Sequence, residues 1–306
     1  MTSFDRLLSV AANLPLRAKI ASLIRAAFDA AHFIEVETPV GIIAPAAEEY
    51  IEAPKADDFF LRTSPELQMK RLLAAGMERI YQLGPCFRSG ENGTRHRQEF
   101  TMLEFYQVGA DYLQLLEFFH SVLLSVCRGL HQDTSFTYNG QRISLDKLEI
   151  IPVREAFRRF AGESADRCAE EEGLFELVLV DKVEPKLPKD RPCVLIDYPV
   201  RFGAFARPKP SDPTLVERWE IYLGGLELAN TYGELIDAAI QRERFARFSE
   251  TRRQQGLAEY PEPVAFLEAI DRGFPPCAGS AMGFDRLVML LTDHTDINEI
   301  SFPLDS

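Results

Sequence analysis

Residues 99–106 read Glu-Phe-Thr-Met-Leu-Glu-Phe-Tyr and predict a β-strand that runs from Glu99 to Gln107. Side chains alternate between the two faces of a strand, so Glu104 shares one face with Phe100, Met102 and Tyr106. A carboxylate that is buried unpaired among apolar side chains carries a large free-energy cost. We therefore expect a cation to meet Glu104 on this face.

The strand has a predicted hairpin partner on its N-terminal side. The segments 79–83 and 86–88 are extended in character, and a polar loop over residues 89–98 connects them to Glu99. Further strands are predicted near the C-terminal half, at 194–197, 217–224, 226–230 and 280–283.

Helices are predicted between these strands rather than in strict alternation with them. Apolar side chains at helical spacing, with capping residues such as Asp111 and Asp285, indicate helices at 16–31, 65–75, 111–131, 235–255 and from 285 onward. Hairpin-connected strands with segregated helices indicate an α+β fold in which helices flank an antiparallel sheet.

The sequence predicts one domain over residues 1–306. No internal repeat is present, and residues 138–213 are less regular and rich in proline. We interpret this part as an insertion or peripheral subregion of the same domain.

Composition restricts the class of protein. The 306 residues carry 34 basic and 47 acidic side chains, a formal charge of −13. This acidity argues against nucleic-acid binding as the main task, because such binding depends on clustered Lys and Arg. Five scattered cysteines predict reduced thiols rather than disulfides or a zinc site. Charged residues interrupt the apolar stretch 113–130 and the N-terminus, so we expect no membrane segment and a cytoplasmic protein.

Three blocks of residues carry candidate chemistry, although the common phosphate-loop, zinc-protease and esterase motifs are missing. In the first block Arg88 precedes the polar loop that contains Arg95 and His96, and an Arg fixed on a strand can bridge carboxylate and phosphate. The second block contains Glu220, Glu227, Asn230 and Glu234, whose carboxylates suit Mg²⁺ or a cationic substrate.

The third block is the stretch 279–286, Gly-Ser-Ala-Met-Gly-Phe-Asp-Arg. Its small residues let a ligand approach the backbone, and Arg286 is available for a phosphate. Each block taken alone also has a purely structural interpretation, as a salt-bridge partner or as solvated side chains.

Together, and in this order, the blocks resemble motifs 2 and 3 of the class II aminoacyl-tRNA synthetases, and Phe33–Pro39 resembles the end of motif 1. The stretches 63–66, 69–72, 99–106, 227–230 and 283–290 resemble the lysyl-tRNA synthetase branch, and the resemblance extends from about Leu16 to Pro303. Lysyl-tRNA synthetases carry an anticodon-binding domain before motif 1. Here Pro39 already ends motif 1, so the chain is most similar to the elongation factor P lysine ligases, which lack that domain.

The resemblance implies an ATP-dependent, AMP-forming ligase that uses ATP and Mg²⁺. It implies that this enzyme activates lysine, preferably (R)-β-lysine, and transfers it to a lysine side chain of elongation factor P. It also implies a homodimer formed through motif 1.

The family's residue roles carry over at matching positions. Arg88 would bridge the amino-acid carboxylate and the α-phosphate, and Arg286 would bind ATP from the other side; these are the two expected catalytic residues. The other residues that the resemblance implies for ATP are Arg95, His96, Phe100 and Glu220, with Glu220 and Glu227 holding Mg²⁺. Those implied for the amino acid are Ser64, Glu66, Glu104, Tyr106, Asn230, Glu234 and Ala281. Gly90 stands where motif 2 usually has Glu, and we expect Glu91 to take its place.

Two other functions compete with this interpretation. A minimal lysyl-tRNA synthetase-like enzyme would charge an RNA, and the acidic charge argues against it. A catalytically silent regulatory paralogue would have lost Arg88, Glu227 or Arg286, and all three are present.

Overall fold

A computed structural model of the chain describes residues 3–46 and 51–303. The strands formed by these residues are β1 (Ile34–Glu35), β2 (Gly41–Ile42), β3 (Lys55–Ala56), β4 (Phe59–Leu61), β5 (Arg79–Phe87), β6 (Glu99–Val108), β7 (Ser135–Tyr138), β8 (Gln141–Ser144), β9 (Glu149–Pro152), β10 (Cys193–Pro199), β11 (Pro208–Lys209), β12 (Asp212–Leu223), β13 (Leu226–Gly233) and β14 (Cys277–Gly283). The main sheet follows the order β1-β5-β6-β14-β13-β12-β10-β9, with β11 paired to β12.

Helices pack around this sheet. The α-helices are α1 (Ser3–Ala30), α2 (Glu66–Ala74), α3 (Tyr112–His131), α4 (Val153–Ala156), α5 (Ala165–Glu170), α6 (Leu174–Val178), α7 (Ala238–Gln254), α8 (Val264–Asp271) and α9 (Phe284–Leu291). The chain also forms short π-helical segments at Phe157–Ala161 and Leu179–Val183. Short 3₁₀ helices lie at Glu184–Lys186, Val200–Phe202 and Ile297–Glu299.

The predicted α+β fold is confirmed, with one refinement at the sheet edges. The central strands from β5 to β10 pair antiparallel, whereas β1 pairs parallel with β5, and β9 pairs parallel with β10. These two edge pairs arise because β1 and β9 each join the sheet through a long connection that contains helices.

The two faces of β6 behave as their alternation predicts. Leu103 and Phe105 are fully buried in the main core, where Phe105 packs against Phe28 of α1 and Phe119 of α3. Phe100, Met102, Glu104 and Tyr106 face a cleft on the other side of the sheet. The candidate site residues of β6 therefore lie on the face of the sheet that borders the cleft.

The proline-rich part of the chain contributes to the same sheet. Strands β9 and β10 extend its edge, and β10 is longer than the predicted 194–197. The segments between them form their own apolar cluster around Phe157 and Phe175, whose rings stack 4.7 Å apart. The irregular sequence thus folds over one end of the cleft.

Several predicted boundaries differ in the structure. The first helix begins at Ser3 and passes through Pro15, and within the motif 1-like stretch Phe33–Pro39 the strand consists of Ile34–Glu35. Asp111 caps α3 as predicted, through a complete capping box. The prediction that Asp285 caps the last helix is wrong, because that helix already begins at Phe284.

Within the described residues, Leu7–Ala30 and Tyr112–His131 are long and apolar enough by composition to cross a membrane, which differs from the sequence-based expectation. Core helices pass the same test, so it is weak evidence for a span. In α3 the apolar stripe from Leu115 to Cys127 is buried against the sheet.

Candidate active site

The cleft on the open face of the sheet has a volume of about 480 Å³, within the range of small-molecule sites. All fifteen residues that the sequence predicts for ATP, metal or substrate line it. They come from α2, β6, β12, β13, β14 and α9, from the loop between β5 and β6, and from single residues next to α2 and β13, so only the sheet brings them together.

Arg88 directly follows β5, and its guanidinium lies over the ring of Phe100, 5.2 Å from the ring centroid. Its Nη1 lies 3.6 Å from a carboxylate oxygen of Glu91, which is the residue expected to replace the missing motif 2 glutamate. Its Nε is buried and has no hydrogen-bond partner among the described residues. A buried donor of this kind is expected to have a ligand as partner.

Arg286 contacts the polar loop directly. Its Nη2 lies 2.6 Å from Nε2 of His96, and its Nη1 donates to the carbonyl of Glu227 at 2.7 Å. Burial and the positive charge of Arg286 lower the pKa of His96. Arg95 lines the cleft with an exposed side chain. Three cationic or imidazole groups thus face one end of the cleft.

Asp285 holds this end together. Its Oδ2 accepts a hydrogen bond of 2.6 Å from the backbone of Thr101, and its Oδ1 pairs with Arg17 of α1. Arg17 also donates to the hydroxyl of Thr101 at 2.8 Å. The side chain that was expected to cap a helix therefore ties β6, α9 and α1 together beside Arg286.

Two carboxylates, Glu220 of β12 and Glu227 of β13, lie beside the cationic groups. Oε1 of Glu220 accepts from Arg218 at 2.5 Å, while Oε2 accepts from Tyr198 and Tyr222. Partial desolvation within the cleft and repulsion from Glu220 raise the pKa of Glu227. The described residues contain no cluster of three or more acidic, His or Cys ligands.

This pair fits Mg²⁺, which is commonly held by one or two carboxylates together with substrate phosphates. Oε1 of Glu220 retains a lone pair beyond its bond to Arg218, and the Glu227 side chain is 42% exposed. A divalent cation would also relieve the repulsion between the two carboxylates.

Sequence reasoning missed two charged residues here. Arg218 contacts Asn230 Oδ1 at 3.3 Å as well as Glu220, and a signal was available because residues 218 and 220 share one face of the strand. Glu184 accepts a hydrogen bond from Tyr222 at 3.2 Å, and burial with repulsion from Glu220 and Glu227 raises its pKa to about 7. No sequence signal pointed to Glu184, which lies in the irregular segment.

The opposite end of the cleft is acidic. Glu104 accepts hydrogen bonds from Ser64 at 2.6 Å and from Tyr106 at 2.7 Å. Burial and the nearby Glu66 raise the pKa of Glu104 to about 8. Among the described residues Glu104 has these two hydrogen-bond donors and no ion-pair partner, so the cation expected from the sequence is not supplied by the described chain and stays a prediction about a ligand.

Glu66 and Glu234 share an internal cation that sequence analysis did not identify. Nζ of Lys70 lies 2.5 Å from Glu66 and 2.6 Å from Glu234, and the Lys70 side chain is 2% exposed. The available signal was the four-residue spacing of Glu66 and Lys70, which places them together on one helix face.

Strand β14 lies between the two ligand-bearing strands. Ala281 is in register with Glu104 on β6 and with Asn230 on β13. A Cβ atom added at Gly279 would lie 2.2 Å from Tyr106 and 2.5 Å from Glu234. Glycine is therefore required here for those two side chains to approach each other.

Two further basic side chains already have partners within the chain. Arg97, from the same loop as Arg95 and His96, also lines the cleft, but its side chain is buried and donates to the carbonyl of Phe302 at 2.9 Å. Arg154 forms ion pairs at the surface with Asp166 and Asp212.

Comparisons with known proteins agree with this architecture. The family model for class II tRNA synthetases of the D, K and N type matches residues 3–306. The chain is 34% identical to the elongation factor P–(R)-β-lysine ligase of Vibrio cholerae, covering 95% of both proteins. It is 36% identical to that of Proteus mirabilis, covering 96% of the chain and 95% of the relative.

A lysine–tRNA ligase of Pelotomaculum thermopropionicum is 35% identical, but the chain covers only 62% of that protein. The similarity to the elongation factor P ligases, in contrast, extends over nearly their whole length. The chain therefore belongs to the class II tRNA synthetase family of ATP-dependent ligases, in the branch of the elongation factor P–(R)-β-lysine ligases.

Proposed function

We propose that the protein activates lysine, preferably (R)-β-lysine, with ATP and transfers it to a lysine side chain of elongation factor P. One observation carries the proposal: a single cleft has Arg88, His96 and Arg286 at one end and Glu66, Glu104 and Glu234 at the other. An amino-acid adenylate with a cationic side chain has the matching charge distribution.

At the cationic end, Arg88 is assigned to bridge the substrate carboxylate and the α-phosphate. Arg286, His96 and Arg95 would contact the distal phosphates, and Phe100 would stack on adenine. The orphan Nε of Arg88 and the contact between Arg286 and His96 support these assignments. Glu220 and Glu227 would hold Mg²⁺, which when bound neutralises phosphate charge.

At the acidic end, Glu66 would bind the amino group nearest the reacting carboxylate, and Glu104, Tyr106 and Glu234 would receive the terminal ammonium. Asn230 would contact the carboxylate region, and Ser64 and Ala281 complete the pocket wall. The burial of Glu104 and Glu234 favours this assignment, because a buried carboxylate binds an ammonium more strongly than an exposed one does.

The reaction has two steps. The substrate carboxylate attacks the α-phosphorus and pyrophosphate leaves, which gives the aminoacyl-adenylate. The amine of the acceptor protein then attacks the acyl carbon, an amide bond forms and AMP leaves. The residues position the groups and neutralise developing charge, so no covalent enzyme intermediate is needed.

The first step is tested by ATP–pyrophosphate exchange with a panel of amino acids. We expect exchange with (R)-β-lysine and lysine, and none with norleucine, which lacks the terminal ammonium. Exchange that is absent with every diamino acid would contradict the proposal and favour the silent-paralogue alternative.

The second step is tested with labelled (R)-β-lysine, ATP and Mg²⁺, incubated with either elongation factor P or total tRNA. We expect label on the protein and none when its target lysine is replaced by Arg. The similarity to lysine–tRNA ligases makes tRNA the relevant rival acceptor. Label on tRNA alone would favour the minimal-synthetase alternative.

We further propose one cytoplasmic domain over residues 1–306 that forms a homodimer. Residues 1–2, 47–50 and 304–306 of that range lie outside the described residues. Helix α1 exposes Phe4 and Leu8, and edge strand β1 exposes Ile34, which supports a partner on this side. Light scattering that gives a stable monomer near 34.6 kDa would contradict the dimer.

A further inference from the structure

Lys70 is a buried cation that the proposed reaction does not use directly. Its Nζ lies between one oxygen of Glu66 on the same helix and one of Glu234 beyond β13, at 2.5 and 2.6 Å. Both carboxylates line the cleft, whereas Lys70 does not. The ammonium therefore stands behind the acidic wall and cannot meet the substrate itself.

The surroundings fix both the position and the charge of this ammonium. Nζ lies 4.7 Å from the ring centroid of Phe205 and 5.9 Å from that of Tyr106, so apolar rings occupy the sides that the carboxylates leave open. Burial by itself would lower the pKa of Lys70, but attraction to Glu234 and Glu66 raises the pKa by a larger amount, so the net shift is upward. Lys70 thus stays charged throughout the neutral range.

The charge count of the acidic end follows from this contact. Three buried carboxyl groups, those of Glu66, Glu104 and Glu234, lie at this end, and the ammonium of Lys70 contacts those of Glu66 and Glu234. Burial and Glu66 raise the pKa of Glu104 to about 8, so Glu104 is mostly protonated in the free protein. Once Glu104 ionises on substrate binding, the three carboxylates exceed the charge of Lys70 by two. A substrate with two ammonium groups balances both charges, whereas with one ammonium Glu104 must either stay protonated or be buried as an unpaired charge, which is costly.

We infer that Lys70 is a positioning residue that sets substrate specificity: by holding Glu66 and Glu234 on one internal cation, it restricts the site to diamino acids. The inference rests on the proposed function, since it assigns the acidic end to the amino acid. It makes Lys70 act through the two carboxylates and not through any contact with substrate or ATP.

Replacement by Met keeps the length of the side chain and removes its charge, and replacement by Gln keeps a hydrogen-bond donor without charge. Without the ammonium, one carboxylate must take up a proton, and the substrate loses a charged partner. We expect Lys70→Met and Lys70→Gln to raise the KM for (R)-β-lysine or lysine roughly tenfold or more in pyrophosphate exchange. The KM for ATP and kcat should stay within about threefold of the wild-type values, as expected when only ground-state binding is lost.

A double-mutant cycle separates this role from a general structural one. In the Glu234→Gln background one carboxylate is already neutral, so Lys70→Met should have a smaller effect on the amino-acid KM than it has in the wild type. If Lys70→Met alone does not fold, the double variant should fold, because it removes the ammonium together with one carboxylate. The exposed Lys147→Met is the matched control and should leave every constant unchanged.

An unchanged amino-acid KM in either single variant would overturn the inference, as would a loss that falls equally on ATP and amino acid. Strictly additive effects in the cycle, or a double variant that fails to restore folding, would do the same. If the wild-type protein shows no pyrophosphate exchange with any of the diamino acids tested, the proposed function itself is refuted. Failure of the proposed function is therefore distinguishable from failure of the role of Lys70.

Discussion

Nη2 of Arg286 lies 2.6 Å from Nε2 of His96. Arginine can only donate, so Nε2 of His96 accepts and the imidazole is neutral in this contact. The lowered pKa of His96, caused by burial and by Arg286, agrees with that state. The motif 2 loop and the motif 3 helix are therefore joined by a contact that acid would break.

We expect bound ATP to raise the pKa of His96, which is lowered in the free protein. Bound phosphates would place negative charge beside the imidazole and favour its protonated form. An NMR titration of the ring protons, assigned with His96→Gln, should give a pKa below the usual 6.5 in the free protein and a higher value with ATP. An identical or lower value with ATP would contradict the placement of phosphates at this contact.

Arg88→Ala should abolish adenylate formation without unfolding the protein. The side chain is partly exposed and its proposed task is to stabilise charge that develops in the transition state, which typically changes the rate by ~10²–10³-fold. Pyrophosphate exchange and thermal melting measure the two effects separately. Arg158→Ala, at an exposed position outside the cleft, is the control. Exchange within a few fold of the wild type would refute the role of Arg88.

Amino-acid binding should strengthen as the pH rises through about 8. The pKa of Glu104 is raised to about 8 by burial and by Glu66, so Glu104 is mostly protonated at pH 7 in the free protein. Binding an ammonium requires the carboxylate, so a proton must leave on binding. The amino-acid KM should fall with rising pH and then level off until the substrate ammonium itself deprotonates near ~10.

Calorimetry in two buffers of different ionisation enthalpy would detect the released proton directly. The Glu104→Gln variant should release fewer protons on amino-acid binding, because the amide side chain cannot ionise. Equal proton release by the variant and the wild type would show that another group titrates.

Gly279→Ala should weaken binding of the amino acid and leave binding of ATP unaffected. The added Cβ would lie 2.2 Å from Tyr106 and 2.5 Å from Glu234, so both side chains must move. We expect a stability loss of about 1–3 kcal/mol and a raised amino-acid KM. Gly41→Ala, whose Cβ meets Phe59 at an ordinary 3.7 Å, is the control. A variant with unchanged amino-acid KM would show that the two side chains do not bind the substrate.

Ala281→Gly should increase activity with α-lysine relative to β-lysine. Ala281 is in register with Glu104 and Asn230, so its methyl group lies between the strands assigned to the two ends of the substrate. β-Lysine places its amino group one carbon further from the carboxylate, and the methyl group changes the room available there. Pyrophosphate exchange with both isomers measures the ratio, and an unchanged ratio would assign the preference to another residue.

The sequence by itself determined the local parts of this protein. Alternation in residues 99–106 gave the correct inner and outer faces of β6, because side-chain direction along a strand has a fixed period. Asp111 marked the start of α3, because capping depends only on residues close in sequence. Spacing within each motif also identified the predicted site residues, whereas the order of strands in the sheet brings the separate motifs to one cleft.

Only the tertiary structure decided how distant charges pair. Asp285 turned from an expected helix cap into a partner of Arg17, which is 268 residues away, and Arg97 turned inward to the carbonyl of Phe302. Lys70 pairs with Glu234 as well as with Glu66, and Glu184 of the irregular segment lies close to Glu220 and Glu227. Such pairings depend on which strands become neighbours, and the low dielectric of the folded interior then makes each one strong enough to set charge and position.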